Sequence, residues 1–417
     1  MVRWCGGARV RPKVRGAKVA TTHAGDGPNH RTAALSDAPS HHRTLAPSHR
    51  RIMSLSVLIA GGGTGGHLYP GIAVAREIVA RVPGAQVAFV GTAAGIESRV
   101  VPREGFALDT IHSAGLKGKS VASLARGVGL LPMSAIDAWR VLSRRRPSIV
   151  IGVGGYSSGP VVLLAALRGI PTLLMEQNAM PGVTNRLLAR FVKAAAVTYD
   201  ESARFFAGRA FLAGNPVRPE FLGGGHDEQV LPHEGQRAAR VLVFGGSQGA
   251  HAINMAMVEA APRLAAAAPG LAITHQTGER DLEMVRDGYR RAGLQARVEP
   301  FLYAMDREMK EADLIVSRAG ATTLAELTAS GRPSILIPLP TATDDHQRRN
   351  AEALVANAAA RMIEQRSLTG ELLATEIVTL AGNAQERAAM SAAARRMAKP
   401  DAARVIVDRV LQLAREH

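Results

Sequence analysis

The chain has 417 residues, with 51 Lys+Arg against 35 Asp+Glu and a single cysteine, Cys5. That length holds two or three domains with real cores, and a hydrophobic content of 47% excludes a disordered or collagen-like chain. One cysteine excludes a disulfide scaffold and a cysteine-built zinc site, and no apolar run approaches the roughly 18 residues of a membrane span.

Half of the formal net charge of +16 sits in residues 1–52, which carry ten Lys/Arg and only Asp26 and Asp37 as acids. This segment has no helical or strand period and no apolar stretch of the kind a secretory signal needs. Residues 1–53 are therefore expected to be a disordered extension or the product of an upstream start codon, with Met53 opening a natural-looking N-terminus. A basic tail that touches nucleic acid or lipid is the alternative. The remaining chain carries only a modest basic surplus. That suits an anionic substrate or an anionic membrane surface, and no nucleic-acid partner is expected.

The folded part opens with Val57-Leu58-Ile59-Ala60, an apolar strand, running into Gly61-Gly62-Gly63-Thr64-Gly65-Gly66-His67. An echo stands 184 residues later, Val241-Leu242-Val243-Phe244-Gly245-Gly246-Ser247-Gln248-Gly249-Ala250-His251, identical at six of eleven positions. Each copy continues into helix-like sequence. Strand, glycine-rich turn and helix open a nucleotide-binding βαβ unit, so two such openings imply two Rossmann-like domains. Further buried strands are expected at 86–90, 149–153, 172–175 and 194–198, then at 241–244, 272–275, 296–299, 314–317 and 334–337. Alternation of such strands with helices predicts an α/β fold with parallel sheets covered on both faces. The expected division is 54–216 for the N-terminal domain, 217–236 for a Pro/Gly/charged linker and 237–400 for the C-terminal domain. A closing helix over 401–417 joins the first domain.

Glycine loops let backbone approach a phosphate, and the following helix N-terminus offers unpaired N–H groups. The second strand ends Phe89-Val90-Gly91-Thr92, without the acid that a dinucleotide ribose requires, which disfavours an NAD enzyme. Gly118-Lys119-Ser120 occurs, but Ser113 stands where the full Gly-x4-Gly-Lys-Ser/Thr pattern needs its first glycine, which disfavours Walker-type hydrolysis. His67 and His251 stand at the mouths of the loops. His251 reads as a structural hydrogen-bonder. His67, at a helix start facing a two-domain cleft and expected to titrate near neutral pH, suits general-base work. The run from Ser317 to Glu326 follows an apolar strand and opens a helix, so its Gly320 and Thr hydroxyls suit a diphosphate and Glu326 a ribose diol. Ordinary N-capping by Thr322 or Thr323 is the plainer reading. Pro338 to Ala351 joins strand to helix with a polar cluster that suits sugar hydroxyls or a capped, solvated first turn.

Gly62–His67, Gly154-Gly155-Tyr156, Glu176-Gln177-Asn178, Gly214-Asn215-Pro216-Val217-Arg218, the second glycine loop, Gly320 to Glu326 and Asp345 to Ala351 together resemble the MurG family. The resemblance covers residues 54–417. It implies a GT-B fold and an N-acetylglucosaminyltransferase acting on UDP-N-acetylglucosamine and on undecaprenyl-diphospho-N-acetylmuramoyl-pentapeptide, lipid I. The reaction belongs to peptidoglycan synthesis on the cytoplasmic face of the inner membrane, with the enzyme peripheral to it. By motif position, Thr64, Gly65 and Gly66 border the donor sugar and the acceptor diphosphate, and Asn178 contacts the sugar. Arg218 and Ser247 meet the nucleotide and its diphosphate, and Leu302 falls at the uracil-binding backbone position with Phe301 as a cap. Gly320, Ala321, Thr322, Thr323, Leu324, Ala325 and Glu326 lie along diphosphate and ribose, and Gln347 on sugar hydroxyls. His346 stands where some members carry Gln.

An α-linked donor giving a β-1,4 product requires inversion by one displacement, with His67 as the candidate base. No Asp-x-Asp occurs, so no metal and no cofactor is expected. Val121, Leu124, Ala125, Val128, Leu131, Met133 and Trp139, flanked by Lys117, Lys119, Arg126, Arg140, Arg144, Arg145 and Arg146, read as a dock for anionic lipid or as an ordinary core face. Alternatives are another GT-B enzyme such as a glycolipid galactosyltransferase, a UDP-N-acetylglucosamine 2-epimerase, or a regulator without catalysis.

Overall fold

The computed structural model describes residues 55–113, 129–222, 239–246, 249–342 and 345–416. The expected extension over 1–53 and most of the expected linker lie outside these residues. So do Ser247 and the membrane-patch residues Lys117, Lys119, Val121, Leu124, Ala125, Arg126 and Val128.

Among the described residues, two parallel sheets of seven and six strands make an α/β fold of GT-B type. The first sheet contains β1 (Ser56–Gly61), β2 (Gln86–Gly91), β3 (Ala107–Thr110), β4 (Ile149–Gly154), β5 (Thr172–Glu176), β6 (Ala194–Val197) and β7 (Ala210–Leu212). Its order is β3-β2-β1-β4-β5-β6-β7, so the winding reverses at β1, with Ile59 opposite Phe89 on one side and Ile151 on the other. The second sheet contains β8 (Arg240–Phe244), β9 (Ala272–Gln276), β10 (Ala296–Glu299), β11 (Leu314–Ser317), β12 (Ser334–Leu336) and β13 (Arg361–Met362). Its order, β10-β9-β8-β11-β12-β13, repeats the pattern, with the reversal at β8. In doubly wound sheets ligands bind outside the carboxyl ends of the strands, at this reversal. Both glycine loops leave β1 and β8 there.

The helices used below are α1 (Gly65–Arg81), α2 (Glu97–Arg103), α3 (Leu131–Arg145), α4 (Ser158–Leu167), α5 (His251–Ala267), α6 (Leu282–Arg291), α7 (Ala321–Ser330), α8 (His346–Ala356), α9 (Gly370–Gly382) and α10 (Ala402–Arg415). Side chains alternate across each strand, and each sheet is covered on both faces. Val57 and Ile59 join Ile72, Phe89 and Ile151 on one side of the first sheet. Leu58 and Ala60 join Leu142, Val162 and Leu174 on the other. In the second sheet Val241 and Val243 meet Met257 and Leu264, while Leu242 and Phe244 meet Leu324 and Leu327.

The chain closes with α10, which lies against α1 and sends Ile406, Val407, Val410 and Leu413 into the core of the first sheet. Asp408 on its outer face pairs with Arg81 at 2.6 Å. This partly exposed ion pair adds little, so docking rests on the apolar face. Ile406→Ala is therefore expected to lower unfolding stability by about 2–5 kcal/mol, read from urea titration. Asp408→Asn is expected to change it by less than about 1 kcal/mol. An Ile406→Ala effect as small as that of Asp408→Asn would mean that α10 is not held by its core face.

Candidate active site

The first glycine loop is built by close backbone approach. Gly61, Gly62 and Gly63 all have positive φ, and a Cβ on Gly155 would collide with the Gly62 carbonyl oxygen. Beneath the loop sits a buried carboxylate, Glu97 at the start of α2. It accepts from the Gly63 N–H at 2.8 Å, the Thr92 N–H at 2.7 Å and the Thr92 hydroxyl at 2.9 Å. Burial alone would raise its pKa. The bonds from Gly63 and Thr92 outweigh that and hold it below the ordinary carboxylate value. The loop thus carries an internal anion, and the Gly63 N–H is not open to a phosphate.

His67 lies two residues into α1, with Nδ1 3.2 Å from the Thr64 hydroxyl oxygen and its ring against Gly154. Here the structure departs from the expectation of a near-neutral histidine. Burial, and then the nearby His346, lower its pKa to about 4, against the opposing effect of a bond with the Gly62 backbone. The imidazole is accordingly uncharged at neutral pH.

Across the cleft, α7 starts at the exit of β11 with Gly320 in extended conformation at its N-cap. The Thr322 hydroxyl donates to the Gly66 carbonyl oxygen of α1 at 3.0 Å. That carbonyl is open because its helical partner would be the N–H of residue 70, which is proline. The bond joins the first turns of two helices from different sheets, so their positive ends converge. Thr64, Gly65, Gly66, His67, Gly320, Ala321 and Thr322 are gathered here. Thr323 follows in the same turn, and Ala325 is half-buried. Leu324 points its side chain into the core, and its N–H is bonded to the Gly320 carbonyl.

A second junction lies beside the first. Glu176 at the end of β5 accepts from the Asn178 N–H and amide, the Gly182 N–H and the Asn185 amide. Its burial still pushes the pKa up, against these bonds. Asn178, so held, accepts from the Asn350 amide of α8 at 3.2 Å, while Asn350 Oδ1 accepts from the Ala179 N–H at 3.0 Å. Gln347 turns its Oε1 to the Leu339 N–H at 3.0 Å, which fixes the proline-bounded loop.

Arg218 and Glu326 pair with each other at 3.0 Å. The guanidinium lies 4.8 Å from the Tyr69 ring centre and 4.6 Å from that of Phe221. Burial raises the Glu326 pKa, opposed by Arg218. Leu302 is buried with its N–H bonded to Gln276 Oε1 at 3.1 Å, beside exposed Phe301. His251 pairs with buried Asp281 at 3.0 Å. Through Asn254, this dyad reaches buried His275 and Tyr289, a structural hydrogen-bond chain under the second loop. Sequence reasoning missed Glu97, Gln276 and the pairing of Arg218 with Glu326. The one signal for Glu97 was an acid soon after a glycine-flanked strand end. Among the described residues no cluster of three or more His, Cys, Asp or Glu could hold a metal ion. A cavity of about 750 Å³ opens at the amino ends of β1 and β2, lined by Ser56, Gln86, Arg76 and Glu104, away from all these groups.

Two doubly wound parallel sheets with convergent helix ends between them make a GT-B architecture, one that hosts nucleotide-sugar enzymes of more than one reaction class. Residues 57–197 match the N-terminal domain of glycosyltransferase family 28, and residues 240–406 match its C-terminal domain. The UDP-N-acetylglucosamine–N-acetylmuramyl-(pentapeptide) pyrophosphoryl-undecaprenol N-acetylglucosamine transferase of Anaeromyxobacter sp. (strain Fw109-5) is 50% identical over 362 residues, 87% of this chain and 94% of that protein. Its namesake from Myxococcus xanthus is 48% identical, covering 85% of this chain and 92% of that one. The crystal structure of Acinetobacter baumannii MurG superposes with a TM-score of 0.69 at 31% identity, over 86% of this chain and 99% of that one. The chain belongs to the MurG family. A Neisseria meningitidis UDP-GlcNAc 2-epimerase, 13% identical with a TM-score of 0.61, shares the fold over 86% of this chain and 100% of that one.

Glu97→Gln keeps the size of the side chain but turns an amide donor toward the N–H groups under the first loop. It is expected to cost about 1.5–3 kcal/mol of unfolding stability at pH 7. The folded state holds this carboxyl below its unfolded value of 4.5. Its contribution is therefore complete above the unfolded value and is lost as pH falls through the folded one. Urea unfolding at pH 7 and near pH 3 should show the gap between wild type and variant closing at the lower pH. A gap that persists there would place the stabilisation elsewhere.

Proposed function

We propose that the protein transfers N-acetylglucosamine from UDP-N-acetylglucosamine to the C4 hydroxyl of the N-acetylmuramoyl unit of lipid I, giving lipid II, with inversion. The observation that supports it most is the meeting of the α1 and α7 N-termini in the cleft, where a diphosphate finds two positive helix ends. The N-terminal lobe, residues 54–216 with 401–417, would receive the acceptor. Residues 217–236 form the connection, and residues 237–400 hold the donor.

In the step, the acceptor oxygen attacks the anomeric carbon, the bond from that carbon to the phosphate oxygen breaks, and UDP leaves with the electron pair. The hydroxyl proton passes to His67 Nε2 or Nδ1, whichever faces the acceptor. A neutral imidazole is ready to accept it, and the hydroxyl becomes strongly acidic only as the new bond forms, so a weak base suffices. Charge building on UDP meets the first turn of α7, Ser247 and Arg218, which fits catalysis by preorganised donors without metal. Asn178 and Gln347 read the sugar, Leu302 the base, and Glu326 the ribose. For the last, Arg218 and Glu326 must exchange part of their mutual contact for the ligand.

The acceptor is membrane-linked, and we place the enzyme peripherally at the cytoplasmic face of the inner membrane. No helix among the described residues is long and apolar enough to cross a membrane. On α3, Leu131, Met133, Ile136 and Trp139 are exposed, with Arg168 4.5 Å over the Trp139 ring. Such a face suits the headgroup boundary of an anionic bilayer. Part of the basic flank is neutralised internally, since Arg144 and Arg145 both bind Asp109.

Transfer of labelled N-acetylglucosamine to a lipid I analogue tests the activity directly. Isomerised sugar nucleotide without transfer would favour the epimerase reading. His67→Ala should lower turnover by about two orders of magnitude with UDP affinity nearly intact. Because the His67 pKa is lowered to about 4, the acid limb of kcat/KM should fall there rather than near 6.5. A limb at 6.5 that disappears in His67→Ala would contradict the neutral state. Flotation on phosphatidylglycerol vesicles should drop several-fold in Ile136→Ser/Trp139→Ser. Unchanged flotation would remove α3 as the dock.

A further inference from the structure

Two segments far apart in sequence are held by one buried side chain. Gln276 ends β9, with its Nε2 donating to the Gly246 carbonyl oxygen at 2.8 Å and its Oε1 accepting from the Leu302 N–H at 3.1 Å. A neutral carboxamide offers donor and acceptor in one rigid plane, so this bridge fixes both segments together. Its surroundings are stiff. The Thr277 and Gly278 N–H groups donate to the carbonyls of Glu299 and Pro300, and the Asn254 amide donates to the Thr277 carbonyl.

The two ends of the bridge face different chemistry. Gly246 belongs to the glycine loop that enters α5, where backbone can approach a phosphate. Leu302 is buried between Phe301 and Tyr303, both exposed, with ring centres 4.9 Å apart and edge to face. Exposed aromatic rings beside an oriented peptide suit a planar base. The Leu302 N–H is committed to Gln276, so base reading at this turn falls to the remaining peptide groups, whose direction the bridge sets.

We propose that Gln276 is a positioning residue that couples the phosphate loop to the base-reading turn and thereby sets selectivity for a uridine nucleotide. This rests on the donor reading given above. Gln276 does not touch the ligand; it fixes the span between the two surfaces that do. The two legs can be cut separately. Gln276→Glu keeps an acceptor for Leu302 and loses the donor to Gly246, whereas Gln276→Leu loses both.

The test uses the full-length protein, titrated by calorimetry with UDP, CDP and uridine, alongside kcat and KM for UDP-N-acetylglucosamine. For Gln276→Leu, the preference for UDP over CDP should fall about tenfold and donor KM rise about tenfold, with kcat at saturation changed less than about threefold. Gln276→Glu should keep uridine affinity within about twofold while UDP affinity falls about tenfold. If Gln276→Leu does not fold, the Gln276→Glu comparison decides. A merely structural role would lower the melting temperature and the active fraction but leave the UDP/CDP ratio and donor KM unchanged, and that result overturns the proposal. A wild-type protein that transfers sugar but does not prefer UDP to CDP also overturns it while leaving the transfer reading standing. Absence of both transfer and UDP binding in the wild type defeats the donor reading itself.

Discussion

The structure depends on one carbonyl left open by a proline. Pro70 removes the N–H that would close the first turn of α1 onto Gly66, and Thr322 from the other sheet supplies the missing donor. That bond, together with the contacts of Asn350 to Asn178 and Ala179, joins two lobes, each organised around its own core. It also brings together two helix ends of the same sign. Without an anion that arrangement is electrostatically unfavourable. Arg218 finds Glu326, and Asn178 finds Asn350. Arg218, Glu326 and Asn178, which the family resemblance assigns to the donor, thus already have protein partners. Under the proposed reading, ligand binding exchanges internal for external hydrogen bonds and keeps the lobes in register.

The buried carboxylates show how rigidity is distributed. Glu97 receives bonds from backbone N–H groups and is held ionised, so its loop has a fixed shape. Glu176 and Glu326 are pushed up by burial, each opposed by neighbours that favour the charged form. These two lie where contacts cross between the lobes, at Asn178 and Arg218. Catalysis by preorganised dipoles needs groups that do not reorganise as charge develops. A cleft in which most polar atoms already have a fixed partner meets that requirement.

Much of the fold was legible because its signals are local. Strand period, the repeated glycine loop and the Pro/Gly junction gave two parallel sheets. The strands that escaped, β3, β7 and β13, are short and outer, with partly exposed residues and little apolar pattern. The site was legible only as far as motifs reach. Motifs name residues near a ligand; they do not show which of them bind each other. Arg218 and Glu326 are 108 residues apart, and Gln276 and Leu302 are 26 apart. The His67 shift was equally invisible, since it arises from enclosure by Gly154 and from His346 on the opposite lobe.

The twin loops, identical at six of eleven positions, are held in unlike ways. Each loop leaves the strand at the reversal of its sheet and is tethered from the neighbouring strand or just beyond it. In the first lobe the tether is the carboxylate of Glu97, bound to the Gly63 N–H. In the second it is the neutral carboxamide of Gln276, bound to the Gly246 carbonyl. An anion under the first loop takes an N–H from it and opposes a second negative charge nearby. The second tether adds no charge and takes a carbonyl rather than an N–H from its loop. The two tethers therefore differ in charge, an anion against the first loop and a neutral amide against Gly246 of the second. Under the proposed function, that difference in charge favours the diphosphate of the donor on the second lobe.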